Sequence, residues 1–123
     1  MLLSLTLLSV LQLAPADTIS GRWQITGDVV GNPLNQVCTF QQSGTALTGS
    51  CAAAGGPSTE LTGEVKENTI TFQHGGEYDG QPLTIVYTGS LENPSEIRGT
   101  VLVQPFDVSG VFAAKPAPPA EEQ

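Results

Sequence analysis

CTFQQSGTALTGSC, residues 38 to 51, carries both cysteines of the chain, one at each end. Suppose Cys38 and Cys51 are bonded and lie directly opposite on antiparallel strands, where cross-strand Cα distances suit a disulfide. Phe40 then meets Gly49, Gln42 meets Leu47 and Ser43 meets Ala46, and Gly44-Thr45 is left as a two-residue turn. Glycine first in such a loop is the type II′ preference. Cysteine spacing and turn chemistry are separate observations, and they give one register. In that register the Phe40 ring can cover Gly49, as an aromatic opposite a strand glycine does elsewhere.

The same pattern recurs along the chain. LTGS at 47, LTGEV at 61, YTGSL at 87, IRGTV at 97 and VSGVF at 108 each set a glycine inside a strand pattern. Glycine weakens a strand unless a bend, a bulge or a close neighbour needs it. If Val65 opposes Ile70, Gly63 opposes Phe72 and Leu61 opposes His74; if Leu91 opposes Ile97, Gly89 opposes Gly99 and Tyr87 opposes Val101. Period-two alternation gives eight strands, near 21–29, 36–43, 46–53, 59–66, 69–75, 82–91, 96–104 and 107–115. One face holds Trp23, Ile25, Phe40, Leu47, Phe72, Leu83, Ile85, Tyr87, Val103, Val108 and Phe112, and the other is mostly Thr, Gln, Ser and Glu. Eight hairpin-linked strands with one apolar face close most simply as an up-and-down antiparallel β-barrel.

The ends of the 123-residue chain read differently. Residues 1–16, MLLSLTLLSVLQLAPA, have a short apolar run followed by Ala14-Pro15-Ala16, the form of an export signal with a small-x-small cleavage site. Cleavage after Ala16 would start the mature chain at Asp17, leaving the barrel at 17–115 and a Pro/Ala/Glu tail at 116–123. Export to the periplasm or outside the cell also suits a lone cysteine pair in an acidic chain.

Composition narrows the function. Charged residues are 13% of the chain and the formal charge is −8. The four basic residues, Arg22, Lys66, Arg98 and Lys115, stand apart from one another. Nucleic acids and anionic membranes attract clustered positive charge, so neither is an expected partner of the mature chain. With one histidine and a bonded cysteine pair, no metal site, cofactor or catalytic constellation is expected, and the chain reads as a binder and not an enzyme.

Loops after odd strands share one end of such a barrel, at 30–35, 54–58, 75–82 and 104–107. Ligand contacts are expected there, from Val29, His74 and Tyr78, with Tyr87 deeper. His74 has two readings: a polar contact at a pocket mouth, or a partly exposed ring satisfied by a loop carbonyl, the commoner arrangement. Tyr87 similarly either bonds a ligand or packs in the core with its hydroxyl satisfied, again the commoner case. Glu77 and Asp79 have the spacing of paired carboxylates, but in a glycine-rich loop they read as solvated.

Gly21-Arg22-Trp23, opening the first strand, resembles the Gly-x-Trp signature of lipocalins, avidins and fatty-acid-binding proteins, and ALTGSC resembles the third strand of avidin-type barrels. That resemblance implies a small, mostly apolar molecule as ligand at the barrel mouth. It also implies that Trp23 closes the barrel bottom, with a basic side chain, here Lys115, packed over it. The biotin-contacting tryptophans of avidins have no counterpart, because Trp23 is the only tryptophan. ISGRWQITG, Cys38 and LTGSC also resemble the first half of periplasmic inhibitors of bacterial metalloproteases, eight-stranded barrels that insert an N-terminal arm into the protease cleft. This implies the alternative of a protein-binding module with a protease or other extracytoplasmic protein as partner, although only Asp17 to Ser20 would form the arm.

Overall fold

A computed structural model of the chain describes residues 19–53 and 56–118. Its strands are β1 (Gly21–Val29), β2 (Asn32–Ser43), β3 (Ala46–Ala53), β4 (Ser58–Lys66), β5 (Thr69–Tyr78), β6 (Gln81–Asn93), β7 (Glu96–Gln104) and β8 (Val108–Pro116). Each pairs antiparallel with the next, and β1 also pairs with β8, so the sheet is a closed eight-stranded up-and-down barrel. Apolar residues face in and polar residues face out, the reverse of a lipid-facing barrel.

The cysteine hairpin has the register that its sequence dictates. Cys38 pairs with Cys51, Phe40 with Gly49 and Ser43 with Ala46. The disulfide joins Cα atoms 4.0 Å apart and lies inside the barrel. Gly44, at φ 62, leads the turn. A loop this short gives the bond a stabilising effect of about 3 kcal/mol in the chain-entropy model. The other expected registers, Val65 with Ile70 and Leu91 with Ile97, are also present.

The strand glycines serve backbone approach more than ring cover. A Cβ on Gly49 would lie 1.8 Å from the Thr39 carbonyl oxygen, so the neighbouring backbone, and not the Phe40 ring, excludes a side chain there. Gly89 does meet a ring, with Phe112 Cζ 3.0 Å from the position its Cβ would take. Strands that cross this closely can coil tightly enough to close a small barrel.

Rings fill the lower and middle barrel. Trp23 and Phe40 have centroids 6.4 Å apart, Phe40 packs edge-on to Phe72 at 5.0 Å, and Phe72 stacks on Tyr87 at 4.4 Å. Phe112 stands edge-on to both Phe72 and Tyr87. Beneath them the chain before β1 turns under the barrel. Trp23 donates its indole N–H to the Ile19 carbonyl (2.9 Å), and the Ile19 N–H donates to Gln42 Oε1 (2.9 Å). Gly21 opens β1 at φ 128, a conformation suited to glycine.

Three expectations change at this end. Lys115 does not pack over Trp23: alternation along β8 turns it outward and exposed, Ala114 takes the inward position, and Ile19 covers the indole. The segment 116–123 is not wholly a free tail, because β8 runs to Pro116, the Ala117 N–H donates to the Arg22 carbonyl (2.8 Å), and Arg22 donates to the Pro118 carbonyl. Ile19 and Ser20, half of the arm implied by the inhibitor resemblance, are bonded to the barrel. The export signal expected at 1–16 and residues 119–123 lie outside the described residues.

Candidate functional site

At the other end the inward side chains are smaller and the barrel stays open. A cavity of about 420 Å³ is lined by Val29, Asn32, Tyr78, Leu83, Val103 and Val108 from the strands, and by Val30 and Phe106 from the turns. Tyr78 and Phe106 stand edge to face across the rim, centroids 6.2 Å apart at 90°. Both remain exposed, Tyr78 at 65% and Phe106 at 46%. Exposed large apolar groups around a cavity mark a contact surface more often than isolated ones do.

The loops that frame this mouth are shorter than the sequence reading expects. The segment 30–35 contracts to the turn Val30-Gly31, and 75–82 contracts to Asp79-Gly80, as β2 and β5 extend past the expected limits. Both residues of each turn have positive φ: Val30 44 and Gly31 88, Asp79 54 and Gly80 82. That is the pattern of type I′ turns, which match the twist of the flanking strands. Asp-Gly at 79–80 is a strong hairpin signal in its own right. Val30 is a different case, because a β-branched residue seldom adopts positive φ. Asp28 Oδ1 supports the turn by accepting from the Gly31 N–H (2.7 Å).

Deeper in the barrel lies a buried polar trio. His74 and Gln36 are 7% and 8% exposed, and Tyr87 is fully buried. His74 Nδ1 is 2.8 Å from the Gly75 carbonyl, which can only accept, so Nδ1 carries the proton and Nε2 is an acceptor. The Tyr87 hydroxyl, 2.9 Å away, donates to Nε2 and accepts from Gln36 Nε2 at 2.6 Å. Gln36 Nε2 also stands 3.2 Å from His74 Nε2. Burial holds the His74 pKa below its ordinary value and pushes that of the Tyr87 hydroxyl up. The trio is therefore neutral and closed on itself.

The residues expected to contact a ligand separate into two levels. Val29 and Tyr78 line the mouth. His74 is not at the rim: it faces inward four residues before Tyr78 on β5, too deep to be partly exposed, and its carbonyl partner Gly75 belongs to the strand. Tyr87 is a core residue with a satisfied hydroxyl. Trp23 lies at the closed end against Phe40, and Phe112 stands mid-barrel against Phe72 and Tyr87. Of the 54–58 loop, Ala54 and Gly55 lie outside the described residues. Val30 and Phe106 fall inside the loops expected at 30–35 and 104–107 without being singled out there, and Gln36 is a core polar group that the sequence reading does not name. Parity with Cys38 and Phe40 places Gln36 on the inner face.

Comparison with protein-family models finds no match, and neither does comparison with curated proteins. Among solved structures the fold is similar to a redesigned β-barrel, with a TM-score of 0.61, 13% identity, and coverage of 81% of this chain and 92% of that one. It is also similar to a redesigned β-barrel described as mFAP1 bound to DFHBI, with a TM-score of 0.54, 13% identity, and coverage of 80% and 94%. At such identity the likeness is one of fold, a small β-barrel, and assigns neither the lipocalin-avidin group nor the inhibitors.

Proposed function

We propose that the protein is an exported, non-catalytic binding protein that holds a small, mostly apolar ligand at the open end of its barrel. The observation that carries this reading is the mouth cavity, whose lining is apolar except for the Asn32 side chain and the Tyr78 hydroxyl. Its volume of about 420 Å³ lies within the range of small-molecule sites, about 300–1,000 Å³. Val30 supports it from another direction. A valine held at φ 44 on the rim is costly, and backbone strain tends to collect where a side chain has to be presented. The neighbour described as bound to DFHBI is a precedent for a ligand in a barrel of this kind. A closed, neutral His74–Tyr87–Gln36 trio without an adjacent nucleophile suits binding better than catalysis. The disulfide suits an oxidising compartment, and so export.

Titration with Nile red, a neutral apolar dye, tests the reading. Saturable fluorescence enhancement at one dye per chain is expected, and it should be lost when Val103→Trp fills the cavity. Absence of saturable binding, or binding unaffected by that substitution, would overturn it.

A further inference from the structure

Charge is unevenly distributed along the barrel axis. Arg22 near the start of β1, Lys66 at the end of β4, Arg98 near the start of β7 and Lys115 near the end of β8 all lie at the closed end. Glu64, Glu67, Glu92 and Glu96 lie there too, so among the described residues four positive charges face four negative ones at this end. Both ion pairs among the described residues, Lys66–Glu64 (3.8 Å) and Arg98–Glu96 (2.6 Å), are at that end. The mouth end has Asp28, Glu60, Glu77, Asp79 and Asp107, five carboxylates, and among the described residues no lysine or arginine. All five are exposed.

Four of these five flank the cavity lining in the chain. Asp28 precedes Val29, Glu77 and Asp79 stand on either side of Tyr78, and Asp107 sits between Phe106 and Val108. Side chains alternate along a strand, so Asp28 and Glu77 point outward beside the inward Val29 and Tyr78, while Asp79 and Asp107 sit in the turns; the four carboxylates stand on the outer surface around the mouth, next to its lining in the chain. A low-dielectric cleft ringed by one sign of charge focuses that field at its opening. The Tyr78 and Phe106 rings add to it, because an aromatic face attracts a cation.

We infer that the ligand of the mouth cavity is an apolar cation, with its hydrocarbon body among Val29, Leu83, Val103 and Val108 and its charged head at the acidic, aromatic rim. The inference rests on the binding reading above and names the charge class of its ligand. The cavity supplies affinity for any apolar body, whereas the rim carboxylates select the sign of the head. Anionic amphiphiles, which many apolar pockets accept beside a lysine or arginine, meet no such partner here and are repelled.

Three naphthalene probes test this, alike except for a trimethylammonium, a neutral hydroxymethyl or a carboxylate substituent. Affinities are measured by calorimetry at about 20 mM and 500 mM salt. The expected order is cation, neutral, anion, with about tenfold or more between cation and anion at low salt and a smaller gap at high salt, as screening over a shortened Debye length requires. The triple variant E77Q/D79N/D107N should draw the affinities together while the neutral probe binds as before. Asparagine accepts the positive φ of positions 79 and 107, so these turns should be kept. Equal binding of cation and anion at low salt, or tighter binding of the anion, would overturn the charge assignment and leave the cavity reading standing. Failure of all three probes to bind would overturn both.

Discussion

At the closed end Ile19, Trp23 and Phe40 are each at most 4% exposed, whereas at the mouth Val30, Tyr78 and Phe106 are 46% to 67% exposed. Both ends are built from the same eight strands and short turns. What differs is what fills the space between them. Below, indole and phenyl rings interlock and a chain segment folds across the opening. Above, valines and Leu83 line a cavity, and the large side chains stand around it. The turns close hairpins; side-chain volume decides whether the barrel end closes with them.

Truncating the closed end should have the largest effect. Trp23→Ala removes a large buried ring together with its bond to Ile19 and should cost about 3–5 kcal/mol, read from denaturant unfolding. Well below the lowered melting temperature, Nile red affinity should be nearly unchanged, since the cavity lies at the other end. A stability loss below about 1 kcal/mol would mean that Trp23 does not close the barrel, and the contrast between the ends would fail.

The polar trio lies between the two regions, and its removal should cost less. Tyr87→Phe keeps the ring stacked on Phe72 and deletes only the hydroxyl. Gln36 Nε2, already 3.2 Å from His74 Nε2, can then donate directly to the imidazole. The expected loss is therefore at the lower end for a disrupted buried bond, about 1–2 kcal/mol. A change within 0.3 kcal/mol, by the same unfolding measurement, would show that the three groups do not act together.

Acid should expose the same trio. Desolvation lowers the His74 pKa in the folded state, against a weaker raising effect from its bond to Gly75, while the unfolded chain binds its proton near 6.5. Below pH 6.5 the unfolded state binds more protons, so stability falls as pH falls and levels off once the folded imidazole also protonates. The slope is bounded by one proton, about 1.4 kcal/mol per pH unit. His74→Gln should lose this portion of the pH dependence; an identical profile in that variant would assign the slope to carboxylates instead.

The sequence carried the barrel because its evidence was local and redundant. The cysteine spacing, Gly44 and the alternating apolar face each constrained the same register. The mouth was harder to read because its signals pointed in opposite directions. Clusters such as GGEYDGQ resemble loops in composition, yet Asp79-Gly80 is a tight hairpin turn that lengthens both strands around it. His74, next to that cluster in sequence, therefore lies deeper than the loop-like composition suggests. Lys115 owes its expected role to a family resemblance, whereas period two on β8 puts it on the outer face. Val30 had no sequence signal at all, since valine is among the poorest choices for a residue with positive φ.

That same misfit gives the smallest and most discriminating effect. If Val30 is present only as part of a turn, asparagine should serve better, because Asn-Gly is the preferred type I′ pair and the left-handed region costs asparagine less. Val30→Asn should then raise stability by about 0.5–1 kcal/mol, and the melting temperature of a domain this size by a few degrees. If Val30 is held there to meet a ligand, the same substitution should weaken Nile red binding several-fold, because it replaces an apolar rim contact with a polar one. Increased stability with unchanged affinity would remove Val30 from the site. Increased stability with weakened affinity would mean that the mouth gives up turn stability to present an apolar side chain, a compromise that nothing at the closed end requires.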